Sequence, residues 1–414
     1  MKTLVTLIFA LFLLSTVQAQ VATCDCKTDL DFLVAKMKEM PSYKHQIIKA
    51  EKETDFQSAY QGYADKMTDP ISRITCFNYL NQMMGTLIDL HASVRSKEDG
   101  FTREQLADAI VIQNFINSEA FTTHPETTTD LASLENSLQN KEKNDIEGIY
   151  VGRELTVGVH RSDDSQKLEG VVLASKLLTW KPGQIIFYLT PTENDRYDML
   201  YFSPQSRKMY YSKGVSATNG RIKYYVKVGV ESHEINFSED KWVFKQLSDS
   251  VQYIYFGEFS NTAAVKQASK DFYTKIKDSL GAKHLIIDVR NNGGGNKKYS
   301  DLFLKLFRRN KGNNYVLTNS FTVSNAEQFT VKLKKIPNTI HLGDATMGAL
   351  AYGMNYGYHY DSPSGLFSVQ PTDMDFHRSF FKYEGTGVAP DRKLSYDTDW
   401  IEQTLEIIAN QSNL

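Results

Sequence analysis

Two stretches in the C-terminal half of the chain carry residue types suited to acyl transfer. Residues 284–295 read as a buried strand that runs into three glycines, Gly293, Gly294 and Gly295. About thirty residues later, Ser324 stands at the start of a predicted helix. Glycine lets backbone N–H groups approach a substrate carbonyl, and the first N–H groups of a helix favour negative charge. Together the two stretches predict a nucleophilic serine beside an oxyanion hole.

Both stretches also have a purely structural interpretation. Ser324 and Glu327 form the Ser-x-x-Glu pattern of a capping box, in which the serine side chain closes the first turn of its helix. On the tetrapeptide alone this is the commoner role, and it competes with catalysis for the same oxygen. A glycine-rich loop is also commonly a flexible turn. No Gly-Lys-Ser/Thr follows the glycines, which excludes a phosphate-binding P-loop.

A histidine and a late carboxylate could complete such a site. His91 shares an apolar stripe with Leu80, Met84 and Leu87, which predicts a helix that carries His91 on its buried face. A histidine there is more often a core residue, but near a serine it is the natural general base. Glu384 lies in a tight glycine-rich loop and is either a solvated turn carboxylate or the group that orients the base.

The N-terminal segment has the composition of a cleavable signal peptide. Lys2 supplies a positive charge, residues 4–14 form a short apolar core, and Val17 and Ala19 are the small residues of a cleavage site. Residues 1–19 are therefore predicted to be removed after Ala19, which makes the mature protein periplasmic or secreted. The apolar run is too short to cross a bilayer as a helix, and no other segment is predicted to span a membrane.

The remaining composition limits the partners. The 47 basic residues nearly balance the 49 acidic ones, so no nucleic-acid partner is predicted. No cluster of histidine, cysteine and carboxylate residues has ligand spacing, so neither a metal nor another cofactor is predicted. In an oxidising compartment either Cys24 or Cys26 could form a disulfide with Cys76, leaving one thiol over.

Three regions follow one another in the mature chain. Residues 20–140 have helical spacing of apolar side chains, although 120–146 reads as a loop or linker. Residues 147–250 contain short alternating strands separated by turn residues, which predicts an antiparallel barrel or sandwich. One of these strands is Lys241-Trp-Val-Phe. Residues 251–414 alternate strands and helices, as in a sheet with helical crossovers. The predicted fold class is therefore multidomain α+β: a helical region carrying His91, an inserted β-domain and a C-terminal α/β core.

Four motifs, in this order, resemble the tail-specific (C-terminal processing) and tricorn-type serine peptidases. They are Leu285–Gly295, the Val-Ser-Asn-Ala-Glu sequence around Ser324, the Gly343–Gly348 loop and Glu384–Asp391. The resemblance covers residues 251–395, and the Asp-Leu-His sequence ending at His91 adds to it. It implies a crotonase-like core of repeated ββα units.

The resemblance also implies a choice between two catalytic designs. The tail-specific branch carries a lysine base directly after Gly348, where this chain has Ala349. The tricorn-like branch instead uses a histidine from the N-terminal part and a late glutamate. The resemblance to this second branch implies that Ser324 is the nucleophile, that His91 is the general base and that Glu384 orients His91.

The oxyanion hole follows from the same resemblance. It implies donors from the backbone N–H of one of Gly293, Gly294 and Gly295 and from that of Asn325. The leading hypothesis is a serine peptidase that hydrolyses peptide bonds of a peptide or protein substrate through an acyl-enzyme. The alternative is a catalytically inactive, peptidase-like binding protein of the cell envelope, favoured by Ala349 and by Leu90, which replaces a small or hydroxyl residue. A structural envelope protein is a third reading, and it predicts Ser324 far from His91.

Overall fold

The computed structural model describes residues 23–162, 167–192 and 196–412. The predicted signal peptide, residues 1–19, lies outside these ranges. The predicted α+β fold class is confirmed, with helices first, an antiparallel β-domain next and a mixed α/β region last. Among the described residues, no helix is both long and apolar enough to cross a membrane.

The N-terminal region is a group of short helices with three short strands. Its helices are α1 (Cys26–Glu39), α2 (Pro41–Tyr43), a π-helical turn (Lys44–Ile48), α3 (Glu53–Ala64), a 3-10 turn (Asp65–Met67), α4 (Arg73–Met84), α5 (Arg103–Ala107), α6 (Ala109–Ile116), α7 (Glu119–Thr122) and α8 (Leu131–Leu138). Its strands are β1 (Thr23–Cys24), β2 (Ile71–Ser72) and β3 (Ser93–Ser96). The segment 120–146, expected to be a loop, therefore contains α8, which begins at the N-cap Asp130 and buries Leu134 and Leu138.

The prediction that His91 lies on a helix is wrong. The helix α4 ends at Met84 with Gly85 as its C-cap, and His91 lies in the loop between α4 and β3. The side chain of Asp89 shapes this loop: its Oδ1 accepts the backbone N–H groups of His91 and Ala92, each at 3.2 Å. Such local side-chain contacts offer the backbone an alternative to helical hydrogen bonds.

A disulfide joins α1 to α4. It pairs Cys26 with Cys76 across a sequence separation of 50, and Cys24 is a buried free thiol. Because closing a loop of this length restricts the unfolded chain, replacing both bridged cysteines by alanine is expected to lower the free energy of unfolding by about 4 kcal/mol. Urea denaturation of the oxidised protein measures this loss. Cys24→Ala, which keeps the bridge, is the matched control, and equal midpoints for the two variants would contradict the prediction.

The β-domain is one antiparallel sheet of short strands. The strands are β4 (Gly148–Val151), β5 (Leu155–Arg161), β6 (Leu168–Ser175), β7 (Ile185–Pro191), β8 (Arg196–Phe202), β9 (Met209–Ser216), β10 (Arg221–Ile222) and β11 (Tyr225–Lys227). Their order is β10-β11-β4-β5-β6-β7-β8-β9. The outermost strands, β9 and β10, are joined by residues 217–220 alone, which span at most ~17 Å. A flat sheet would hold them roughly 34 Å apart, so the sheet must curl into a barrel-like shape.

The C-terminal region is built on a six-stranded sheet. Its elements are β12 (Trp242–Ser248), β13 (Val251–Phe256), α9 (Ala263–Ile276), β14 (His284–Asp288), α10 (Lys297–Arg309), β15 (Asn313–Thr318), α11 (Asn325–Leu333), β16 (Thr339–Gly343), β17 (Tyr352–Gly353), β18 (Tyr360–Asp361), β19 (Phe367–Gln370), β20 (Met374–Asp375), a 3-10 turn (Arg378–Tyr383), β21 (Arg392–Lys393) and α12 (Trp400–Ser412). The sheet order is β12-β13-β14-β15-β16-β21, and all pairs from β13 to β21 are parallel.

The strand β12 belongs to this sheet and not, as expected, to the β-domain. It forms an antiparallel pair with β13, and Trp242 packs against Phe256, Phe259 and Phe272 in the C-terminal core. Trp242 therefore contributes to a core formed by residues that follow it in the chain. The alternation of apolar and polar residues in β12 does not reveal which sheet the strand joins.

The parallel strands bring the two predicted motifs together. The glycine loop follows β14 and Ser324 follows β15, and these strands are neighbours in parallel register. The carboxyl ends of parallel neighbours lie at the same edge of a sheet, where ligands commonly bind. The strand β3 pairs with β19, which brings the loop of His91 to the same region.

Candidate active site

Ser324 occupies a sharp turn between β15 and α11. Its φ of +57° and ψ of −120° lie in a region that L-residues rarely adopt, and such a conformation costs roughly 1–3 kcal/mol. The neighbours enforce it: Gly294 packs so closely that an added Cβ would lie 2.7 Å from the Ser324 Cβ. The capping box with Glu327 is present: the Glu327 side chain accepts the N–H of Ser324 at 2.8 Å, and the N–H of Glu327 is donated to the Ser324 backbone oxygen at 3.0 Å.

The hydroxyl of Ser324 instead meets His91. The distance between Ser324 Oγ and His91 Nε2 is 3.0 Å, within reach for direct proton transfer. Burial lowers the pKa of His91, Asp89 opposes this shift and Lys213 adds to it. A lowered pKa keeps the imidazole neutral at pH 7, the form that can accept a proton. The other ring nitrogen, Nδ1, is buried and has no hydrogen-bond partner among the described residues.

Glu384 makes no hydrogen bond to the imidazole of His91, contrary to the predicted orienting contact. One of its oxygens accepts the N–H of Leu90 at 3.0 Å, and the other accepts those of Leu350 and Ala351 at 2.9 and 2.7 Å. The carboxyl is therefore tied to the peptide backbone immediately before His91. It holds the loop of the histidine, and acts on the ring only through that loop.

The protonation of Glu384 predicts a dependence of stability on pH. Burial raises its pKa from 4.5 to about 7, with a smaller rise from Asp89 and opposition from the three N–H donors. Because the folded protein binds this proton more tightly than the unfolded chain, stability is lost as pH rises from 4.5 through 7. The loss is expected to reach about 3 kcal/mol. Urea unfolding at pH 4.5 and pH 8 should show it in wild type and not in Glu384→Ala. An equal pH dependence in both proteins would contradict the assignment.

Glu327 has a larger role than the capping box predicted. One carboxyl oxygen accepts the N–H of Ser324 at 2.8 Å and that of Ala349 at 2.9 Å. The other accepts the N–H of Gly348 at 2.7 Å and the Thr346 hydroxyl. Its burial raises its pKa, and these four donors oppose the rise. This one side chain thus fixes the turn of the serine against the Gly343–Gly348 loop, a function that its spacing in the sequence does not indicate.

The predicted oxyanion donors differ in availability. The N–H of Gly294 is already donated to Asn292 Oδ1 at 2.9 Å. Gly295 is packed on the backbone of Phe259, where an added Cβ would lie 1.9 Å from the carbonyl oxygen. The N–H groups of Gly293 and Asn325 have no acceptor among the described residues. Gly294 and Gly295 therefore allow close packing. Gly293 also lines a cavity beside His91, and Asn325 directly follows Ser324, so these two are the better candidates for the oxyanion hole.

A cavity of about 680 Å³ opens beside the Ser324–His91 pair. The N-terminal region contributes His91 to its wall, the C-terminal core contributes Gly293, Val323, Met347 and Ala349, and the β-domain contributes Val215, Lys223, Tyr224 and Val226. Its lining is mostly apolar with a few polar groups, as in sites for peptides and other organic ligands. In the ranges that the structure describes, no group of three or more histidine, cysteine, aspartate or glutamate residues could hold a metal ion.

The glycine loop lies within a recognised peptidase segment. Residues 250–315 match the model of peptidase family S41. Over these residues the chain is similar to S41 peptidases. The predicted resemblance to the tail-specific and tricorn-type serine peptidases is confirmed at this level. The matched S41 segment runs from the start of β13 into β15 and ends before Ser324.

Several solved structures are similar to this chain at low sequence identity. Mature CPAF in complex with lactacystin has a TM-score of 0.45 at 13% identity, with 93% of this chain and 97% of that chain covered. The photosystem II D1 C-terminal processing protease has a TM-score of 0.36 at 13% identity, with 91% and 94% covered. The tricorn protease has a TM-score of 0.42 at 14% identity, with 94% of this chain but 37% of that chain covered. No curated protein sequence matches the chain.

Proposed function

We propose that the protein is a serine peptidase that hydrolyses peptide bonds through an acyl-enzyme. The observation that carries the proposal is the 3.0 Å contact between His91 Nε2 and the Oγ of Ser324, held at a positive φ beside the glycine loop. A nucleophile within hydrogen-bond distance of a neutral base, on a strained turn, is the arrangement that acyl transfer requires. The adjoining cavity provides room for a substrate.

The chemistry follows from these positions. Ser324 Oγ attacks the carbonyl carbon while its proton passes to His91 Nε2. The oxygen of the tetrahedral intermediate takes up negative charge beside the N–H groups of Gly293 and Asn325, which stabilise it. His91 then donates its proton to the leaving amine as the C–N bond breaks, which leaves an ester on Ser324. Water, deprotonated by His91, hydrolyses this ester and restores the hydroxyl.

The reaction is proposed to occur in the periplasm or outside the cell, on a peptide or protein substrate. The signal sequence ending at Ala19 supports a periplasmic or secreted enzyme. The Cys26–Cys76 disulfide is of the kind that persists in such oxidising compartments. The substrate is a peptide or protein, in keeping with the S41-type segment.

Labelling with a fluorophosphonate tests the proposal. The mature protein is treated with the reagent and its intact mass is measured beside that of Ser324→Ala. Wild type is expected to gain one adduct, and the variant none, because the reagent needs an activated serine. A folded wild-type protein that gains no adduct would rule out the peptidase mechanism.

A binding protein is the second candidate. The unpartnered Nδ1 of His91 favours it, because an imidazolium formed there would lack a stabilising acceptor. Ala349, which stands where the tail-specific branch carries its lysine, favours it as well. This candidate predicts that wild type and Ser324→Ala bind peptides equally well and that neither releases product over long incubation.

A further inference from the structure

Two cations of the β-domain reach into the loops of the candidate active site. Lys213, on β9, donates its Nζ to the backbone oxygen of Asp89 at 2.7 Å. Arg196, at the start of β8, donates to the oxygen of Met347 at 2.7 Å and to those of Thr346 and Thr386 at 3.2 Å each. Both side chains thus leave their own domain and bind backbone carbonyls of other regions.

The carbonyls bound by Arg196 lie in the loops that support the catalytic pair. Thr346 and Met347 directly precede Gly348, whose N–H is held by Glu327. Thr386 lies two residues after Glu384, which holds the loop of His91. One planar guanidinium therefore joins the support of Ser324 to the support of His91, through two nitrogens held in a fixed geometry.

The carbonyl bound by Lys213 lies in the loop of His91 itself. Asp89 stands two residues before the histidine, and its side chain already caps the N–H groups of His91 and Ala92. Lys213 thus binds the backbone of the same loop that Glu384 binds at the N–H of Leu90. The charged groups that face Lys213 are the carboxylates of Asp89, Asp198 and Glu384.

A bulge in the β-domain brings Lys213 into this position. Tyr197 pairs with Val215 and Met199 with Ser212, so Lys213 and Gly214 together face the single residue Asp198. Gly214 has a φ of +64°, and its N–H is donated to Asp198 Oδ1 at 3.0 Å. Bulges of this kind bend a strand and redirect a side chain, and they occur often beside active sites. This irregularity lies on the strand pair that carries both cations.

We infer that Lys213 and Arg196 are positioning residues for the candidate catalytic pair, so that the β-domain completes the active site of the core. The inference rests on the proposed peptidase function. Lys213 fixes the loop of His91, and Arg196 fixes the Thr346 and Met347 carbonyls beside the serine turn together with the Thr386 carbonyl beside Glu384. The β-domain then does more than line the substrate cavity.

The test compares Lys213→Met and Arg196→Met with Lys176→Met. Lys176 is the matched control, because it is an exposed lysine of the same domain whose Nζ also donates to a backbone oxygen, that of Arg153 at 3.0 Å, within the β-domain. The rate constant for fluorophosphonate labelling is measured from pH 5 to 9, and melting curves show that each variant is folded. Both test variants are expected to react up to about 100-fold more slowly than wild type, because even a small misplacement of the reacting groups can lower the rate by this factor. The control is expected to react at the wild-type rate.

The pH profile and the conservative variants separate positioning from simple loss of stability. Lys213 lowers the pKa of His91, and Asp89 raises it, so Lys213→Met should move the acidic limb of the profile to higher pH. Arg196→Met should lower the plateau without moving this limb. Lys213→Arg should recover most of the rate, whereas Arg196→Lys should not. If both test variants are labelled at the wild-type rate and the acidic limb of the pH profile does not move, the inference is overturned.

Failure of the proposed function gives a different result. If wild type itself is unreactive, the peptidase proposal fails, and the His91 imidazole is then titrated by NMR in wild type, Lys213→Met and Lys176→Met. A higher pKa of His91 in Lys213→Met alone supports the contact of Lys213 with its loop. The same pKa in all three proteins overturns it.

Discussion

His91→Ala is expected to slow fluorophosphonate labelling of Ser324 by roughly 10⁴–10⁶-fold. The expectation follows from the 3.0 Å contact between His91 Nε2 and Ser324 Oγ, because without a base the hydroxyl has no acceptor for its proton. His359→Ala is the matched control, since His359 is exposed and distant in sequence from both residues. Intact mass recorded over time gives the two rate constants.

Two further measurements make this prediction specific to proton transfer. The labelling rate of wild type should remain high below pH 6.5, because burial lowers the pKa of His91 from that value and the neutral imidazole is the active form. Ser324→Ala combined with His91→Ala should be no less active toward peptides than either single variant, because the two groups act as a unit. If the losses of the two single variants multiply in the double variant, or if His91→Ala is labelled at the wild-type rate, then His91 is not the base.

The sequence predicted the parts of the site whose signals are local. Three glycines after a buried strand, and a serine between a strand and a helix, have direct consequences for backbone conformation, and the parallel pairing of β14 with β15 then brings these segments together. The proximity of His91 was also predicted, but through its resemblance to a family motif. Its predicted helical setting was wrong: α4 ends at Met84, and the side chain of Asp89 binds the N–H groups of His91 and Ala92 in the loop that follows.

The contacts that sequence reasoning missed all span long separations. Glu384 was expected at the imidazole and instead holds the backbone at Leu90, 294 residues away in sequence. Lys213 and Arg196 carry no local pattern that distinguishes them from surface cations of a strand. Their role depends on a bulge and on where the β-domain lies against the core. A capping box is visible at Glu327, but only the fold shows that three of its four donors come from residues 346–349.

Glu327→Ala is expected to have the largest effect on stability, on the order of 4 kcal/mol or more in the free energy of unfolding. The substitution removes the common acceptor of the Ser324, Gly348 and Ala349 N–H groups and of the Thr346 hydroxyl. Buried donors without an acceptor are costly, and here four would lose theirs at once. Urea unfolding gives the loss. Glu402→Ala is the matched control, because Glu402 also lies in the first turn of a helix, α12, but is exposed.

Glu327→Gln separates the charge and acceptors of this side chain from its volume. Each carboxyl oxygen of Glu327 accepts two donors, so an amide keeps one pair of hydrogen bonds and turns its NH₂ group toward the donors of the other pair. Glutamine should therefore restore little of the stability that alanine loses. Because the Glu327 carboxyl also holds the strained turn of Ser324, both variants should label more slowly at temperatures where they remain folded. A stable, fully reactive Glu327→Gln protein would mean that the backbone of the turn keeps its conformation without the carboxylate.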